Sequence, residues 1–410
     1  MKKLLLTTFM ALLTVAGSYA REIEETYIDG RERTYAYYEP TTSNNRVVFL
    51  LHGLGETYDD YDSSVIQDFA NKNKCTVVMP QALSEQDATL LELLDIIKTF
   101  QPEMGDLKQA LDKSAWGANV YITIDDLCTA LGISKTYLEM FVKQYPQFKH
   151  FLDEDRIQIN KDVNDRNFIN QLIFFFKKDS NTKFYMVGCS LGGAMAYDMG
   201  FNYPMRFSKI ASASGFVSKG VEVPANYNLP TLVIHSETDE IVPYNGGLYS
   251  RPIGELVMDI VLTNGARVPK VSIYNEGQEG KQITIQDWYQ APQVKFYSVE
   301  KASHTLIDDM AAIGVNIFDV IQDFLFDTHV AADESDASEF AIYPNPVTEV
   351  LNIQSDEEFD SAMITNLAGQ AVFFTVSNNQ IAVGSLANGL YIIDLVRENG
   401  TTEKAKFIKK

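Results

Sequence analysis

The chain predicts an α/β fold: a mostly parallel sheet flanked by helices, with a helical insertion, followed by a small all-β sandwich. Three observations predict it. Six short apolar runs recur with helical or loop segments between them: Arg46 to Leu51, Thr76 to Met79, Lys183 to Val187, Lys209 to Ser212, Thr231 to His235 and Val294 to Val299. Continuous apolar runs suit strands buried on both faces, and alternation with helices suits a parallel sheet. The segment Gly188-Cys189-Ser190-Leu191-Gly192 stands between the third run and an Ala-rich amphipathic stretch, which places a tight turn between a strand and a helix. Beyond about residue 340 the pattern changes to short alternating segments at Val350 to Ile353, Ala362 to Thr365, Ala371 to Val376 and Tyr391 to Val396, with Asn399-Gly400 as a hairpin turn before Thr402 to Ile408.

In chain order, residues 1–20 read as a signal peptide. Lys2 and Lys3 precede a nearly unbroken apolar stretch from Leu4 to Gly17, and Ser18-Tyr19-Ala20 suits cleavage. That stretch is too short to cross a membrane as a helix. Tyr27 to Gly30 and Arg33 to Tyr38 read as two strands around a glycine turn. The sheet domain is expected over 21–330. Between Gln81 and Asp165 about eighty residues replace what one strand–helix connection needs, so 83–163 is read as an insertion that could cap the active site. It contains helical patterns at Leu91 to Phe100 and Thr136 to Tyr145. Residues 331–339 are acidic and aperiodic, as a linker is, and 340–410 form the sandwich.

The net charge of −21 opposes binding to nucleic acid or anionic lipid. Of the three cysteines, Cys75 and Cys128 are the pair that could form a disulfide, and Cys189 lies inside the Gly-rich turn. No Cys-x-x-Cys or clustered histidine pattern calls for a metal, and no cofactor is needed.

The residues around Ser190 have the context of a nucleophile elbow, where the serine oxygen stands clear of the sheet. A serine hydroxyl needs a base, and the base needs an orienting carboxylate. In this class of sheet the order is serine, acid, histidine. Five histidines are available. His52 and His150 precede Ser190, His235 ends a strand before any acid loop, and His329 adjoins the linker. His304 remains, in a loop after Val294 to Val299. The acid loop after Thr231 to His235 offers Glu237, Asp239 and Glu240, of which Asp239 is preferred because Ile241-Val242-Pro243 can anchor it. Backbone N–H groups for the tetrahedral intermediate are expected from Leu191 and from Leu54, with Gly53 second; His52 is read as fixing that loop. Trp116 and Tyr244 are candidates for substrate contact.

The motifs DGRERTYAYYEP (29–40), LHGLG (51–55), VNDRNFINQLI (163–173), VGCSLGGAM (187–195) and PTLVIHSETDEIVPYNGG (230–247) make residues 29–325 similar to α/β-hydrolase esterases, a group that includes feruloyl esterases, acetylxylan esterases and polyhydroxybutyrate depolymerases. The resemblance implies a Ser190–His304–Asp239 triad, no cofactor, and feruloyl or acetyl esters on plant cell-wall polysaccharide as substrate. Polyhydroxyalkanoate depolymerase or lipase-like activity, a serine peptidase of the same fold, and a non-catalytic surface binding protein are the alternatives. The chain departs from the family in Leu191, where Asn is common, and in a histidine loop without a following Trp-Pro. In 340–410, YPNPVTEVLNI (343–353), ITNLAGQAV (364–372), SLANGLYIIDL (385–395) and KFIKK (406–410) resemble the type A sorting domain of the type IX secretion system. That implies a secreted or surface location and the secretion machinery as partner.

Overall fold

The structure, a computed structural model, describes residues 21–42, 45–99, 104–266, 268–289, 292–326, 340–355, 359, 361–366, 371–396 and 402–410. The signal-peptide, linker and Asn399-Gly400 readings lie outside these residues. The chain divides into two compact units, the second made mainly of residues 328–410.

The first unit begins with the hairpin β1 (Glu22–Ile28) and β2 (Arg31–Tyr38), then β3 (Arg46–Leu51), α1 (Ser63–Asn73) and β4 (Cys75–Pro80). The insertion contributes α2 (Ala88–Ile97), α3 (Met104–Lys113), β5 (Tyr121–Thr123), α4 (Ile124–Leu131), α5 (Lys135–Gln144), α6 (Lys149–Asp153) and β6 (Arg156–Gln158). Then come α7 (Asp165–Phe176), β7 (Lys183–Cys189), α8 (Leu191–Asn202), β8 (Lys209–Ala213), β9 (Thr231–Ser236), α9 (Ile253–Thr263), β10 (Lys270–Tyr274), β11 (Ile283–Trp288), β12 (Val294–Val299), α10 (Ile307–Ala312) and α11 (Ile317–Phe326). The sheet runs β1-β2-β4-β3-β7-β8-β9-β12-β11-β10. The pairs from β4 through β3, β7, β8 and β9 to β12 are parallel, while β1–β2 and β2–β4 are antiparallel. This order and pairing is the α/β-hydrolase fold.

All six apolar runs are strands of this sheet. Their side chains are buried on both faces, as at Val48 and Phe49 or Val233 and Ile234, which explains why they show no alternation. Registers pair Leu51 with Gly188, Cys189 with Ala213, Ala213 with Ile234, and Ser236 with Val299. The loops after β3, β7, β8, β9 and β12 therefore leave from one edge, where open α/β sheets carry their sites.

Helix bounds follow their caps. The segment expected at Leu91 to Phe100 begins earlier, because Asp87 accepts the Thr89 N–H and starts α2 there. Ser134 does the same for α5 through the Tyr137 N–H. β5, β6, β10 and β11 have no counterpart among the expected strands. β10 is mostly exposed and the other three are short or half-buried, so none writes an apolar run into the sequence.

Cys75, Cys128 and Cys189 are all free, so the possible Cys75–Cys128 pair is not formed. Cys75 starts the buried strand β4, whereas Cys128 sits on α4 of the insertion.

The second unit holds β13 (Phe340–Tyr343), β14 (Val350–Ser355), β15 (Ser361–Asn366), β16 (Ala371–Thr375), β17 (Gln380–Ala382), β18 (Gly389–Val396) and β19 (Thr402–Lys409). They form two sheets, β13-β14-β17 and β16-β15-β18-β19, with antiparallel pairing. Leu351, Ile353, Ile364, Ile381, Ile393, Leu395 and Phe407 share one buried core.

Candidate active site

The elbow is built by steric necessity. Ser190 lies between β7 and α8 at φ 53°, ψ −120°, a conformation non-glycine residues rarely adopt. A Cβ on Gly188 would lie 2.0 Å from the Gly192 carbonyl oxygen, and one on Gly192 would lie 2.2 Å from that of Leu51. No side chain fits at either position. Ser190 makes no capping bond to α8, so its hydroxyl is free to point elsewhere.

It points to His304. The Ser190 hydroxyl donates to His304 Nε2 at 2.8 Å, and His304 Nδ1–H donates to Asp239 Oδ2 at 2.8 Å and Oδ1 at 3.0 Å. This proton placement is the one that satisfies all three groups at once. Asp239 is buried and receives the N–H groups of Ile241 and Val242 at 2.9 and 2.8 Å. Burial opposes its charge, but the hydrogen bonds from His304 and the Val242 N–H outweigh that and hold its carboxyl below the usual range. Glu237 turns away, accepting from Ser298 Oγ at 2.7 Å.

Several side chains that fix these groups were not visible to sequence reasoning. Ser214, at φ 50°, donates its hydroxyl to the His304 carbonyl at 2.6 Å. Ser236 donates to the Ala302 carbonyl at 2.7 Å and accepts the Ala302 N–H at 3.0 Å. His235 is fully buried and donates Nε2–H to the Val242 carbonyl at 2.9 Å, with Asp239 Oδ2 at 3.5 Å. One signal existed: Ser214, Ser236 and His235 all lie at or just past the carboxyl ends of apolar runs, where the site had to be.

The loop after β3 supplies the other half of the site. His52 is buried and donates Nδ1–H to the Gly53 carbonyl at 2.8 Å, while its Nε2 accepts the Ala82 N–H at 3.1 Å. Burial pushes its pKa down to about 4, so it is neutral near pH 7. The Gly53 N–H, the second oxyanion candidate, is already held by Glu56 Oε2 at 2.7 Å. Among the described residues, neither Leu54 N–H nor Leu191 N–H has an acceptor.

Of the two substrate-contact candidates, Trp116 is buried and Tyr244 is half-buried. Trp116 is completely buried, its ring tilted against that of His52 with centroids 5.0 Å apart, and donates Nε1–H to the His52 carbonyl at 2.8 Å. It anchors the insertion to this loop, together with Gly55 N–H to the Ser114 carbonyl at 2.9 Å. Tyr121 and Asp126 tie the insertion to the loop after β8, through Ser218 and Lys219. Tyr244 packs on Phe296, and its hydroxyl lies 3.2 Å from Ser298 Oγ, to which it can donate.

Among the described residues no group of three His, Cys, Asp or Glu side chains could hold a metal ion. None of their helices is long and apolar enough to cross a membrane.

No curated protein matches the sequence. Among solved structures, the chain is similar to an acetyl xylan esterase from Aspergillus awamori at 13% identity, covering 72% of this chain and 99% of that one, with a TM-score of 0.42. It is similar to an S-formylglutathione hydrolase from Agrobacterium tumefaciens at 13% identity, covering 76% and 96%, with a TM-score of 0.40. An acylaminoacyl peptidase from Pyrococcus horikoshii matches at 12% identity, covering 75% and 41%, with a TM-score of 0.37. Likenesses this distant carry no argument, and the fold rests on strand order and pairing. Residues 341–410 match the family described as the secretion system C-terminal sorting domain. The chain thus joins an α/β-hydrolase fold to a sorting domain of type IX secretion, which addresses it to the cell surface or the extracellular space.

Proposed function

We propose that the chain is a secreted serine esterase. The observation that carries this reading is the unbroken relay Ser190 Oγ–His304 Nε2 and His304 Nδ1–Asp239, each link 2.8 Å, at an elbow beside two N–H groups without acceptors. In this reading Ser190 Oγ attacks the ester carbonyl carbon and His304 Nε2 takes its proton. Leu191 and Leu54 N–H groups hold the resulting oxyanion. His304 returns the proton to the departing alcohol, leaving an acyl-Ser190. Water, deprotonated by His304, then releases the acid. Asp239 keeps the proton on Nδ1 and stabilises the imidazolium. An exported enzyme with this site suits acyl groups on plant cell-wall polysaccharide, feruloyl or acetyl.

The test is hydrolysis of acetyl, butyryl, feruloyl and 3-hydroxybutyryl esters beside a peptide substrate, with Ser190→Ala and His304→Ala as controls. Ester turnover lost by several orders of magnitude in both folded variants is expected. Ester turnover that survives Ser190→Ala, or cleavage of the peptide alone, refutes the reading.

A further inference from the structure

A cavity of about 60 Å³ lies against the sheet beneath the elbow. Its inner wall is Val48, Val77 and Val187 of the sheet, closed by Ile66 of α1 and Ile321 of α11, all buried. Its outer lining includes Cys189, Thr305 and Ile307. Cys189 precedes Ser190, and Thr305 follows His304. The cavity is thus lined by the chain neighbours of the pair that forms the 2.8 Å hydrogen bond. Thr305 and Ile307 are exposed, which puts a mouth beside the histidine loop.

The polar side chains in its wall are Tyr61, Cys189 and, at the mouth, Thr305, whose hydroxyl shares a hydrogen bond with Ser303 Oγ at 3.2 Å. Tyr61 donates its hydroxyl to the Leu51 carbonyl at 3.2 Å. Burial pushes the Cys189 thiol up to about 12, so it stays protonated and uncharged. A space so lined offers water few partners, and an apolar group gains by entering it. From Cys189 to Val187 is two strand residues, about 7 Å. The volume is roughly that of two liquid waters, which admits about two or three carbons, whereas a dry cavity known to take an aromatic ring is about 150 Å³.

We propose that this cavity is an acyl-tail subsite that accepts the end of a short aliphatic acyl group of about four carbons. The proposal rests on the esterase reading and narrows it toward small aliphatic acids and away from feruloyl. The acyl group is assigned rather than the alcohol because it becomes bonded to Ser190, and Gly188 and Cys189 of the same strand line the cavity.

The experiment measures kcat/KM on p-nitrophenyl acetate, butyrate and octanoate, and on an ethyl and butyl acetate pair, for the full chain, Ile321→Phe and Phe318→Ala. Butyrate is expected to exceed acetate by roughly fifteenfold, from about fourfold for each of two buried methylenes. Ile321→Phe narrows the cavity and should collapse that ratio. Phe318, half-buried in the lining, becomes Ala and should move the optimum to longer acids, a readout that survives if the first variant does not fold. Hydrolysis with an acyl-length profile unchanged in Phe318→Ala, or a response to alcohol length instead, overturns the subsite alone. Absence of Ser190-dependent hydrolysis of every ester overturns the esterase reading and the subsite with it.

Discussion

Replacing Asp239 by Asn tests the relay at its most informative atom. Asp239 Oδ1 accepts the Ile241 and Val242 N–H groups at 2.9 and 2.8 Å. An amide NH2 cannot face two donors, so Asn places its carbonyl oxygen there and its nitrogen at the Oδ2 position. That nitrogen then stands 2.8 Å from His304 Nδ1 and can only donate to it. His304 must carry its proton on Nε2, and Nε2 can no longer accept from the Ser190 hydroxyl 2.8 Å away. The geometry survives while the base is lost. A tautomer error of this kind costs on the order of 10⁴ in kcat, about 5.5 kcal/mol of barrier. The assay is kcat on a short-chain p-nitrophenyl ester, with a thermal melt to verify that the variant folds. Glu237→Gln is the control, since Glu237 is exposed and engages Ser298, and it should change kcat less than twofold. A folded Asp239→Asn variant within tenfold of the parent would refute the reasoning, and a larger loss in Glu237→Gln would move the acid.

Two further outcomes follow from packing and burial. Gly192→Ala puts a Cβ 2.2 Å from the Leu51 carbonyl and 2.5 Å from that of His52, both backbone that cannot retreat, so a loss of about 4 kcal/mol or more in urea unfolding is expected. Gly254→Ala in α9 meets nothing within 4 Å and should be neutral or slightly stabilising; equal melting points for the two would contradict the elbow argument. His52 should stay neutral on an NMR titration down to about pH 5, since its pKa is lowered from 6.5 to about 4. The unfolded chain takes up that proton below about pH 6.5 and the folded chain does not. Stability is therefore full above that pH and falls toward pH 4, by up to about 3 kcal/mol from this residue. A His52 midpoint near 6.5 would show the ring to be solvated.

Much of the scaffold was legible because burial on both faces forces continuous apolar runs, and each of the six became a strand with its carboxyl end at one edge. The elbow was legible because the turn admits only glycine at Gly188 and Gly192. Chain order then left His304 and Asp239, which the structure brings within hydrogen-bond reach of each other and of Ser190. Edge strands such as β10 were silent, because an exposed strand needs no apolar run.

What the sequence determined by itself is what depends on local periodicity and backbone sterics: the parallel strands, the Gly-flanked turn and the alternating C-terminal segments. Only the tertiary structure decided which polar groups are already engaged. Glu56 already engages the Gly53 N–H, and Trp116 anchors to a carbonyl 64 residues away. Ser214 holds the His304 carbonyl across 90 residues of chain. A hydrogen-bonding group carries the same donor or acceptor wherever it sits in the sequence, and only the folded neighbourhood decides whether another group reaches it first.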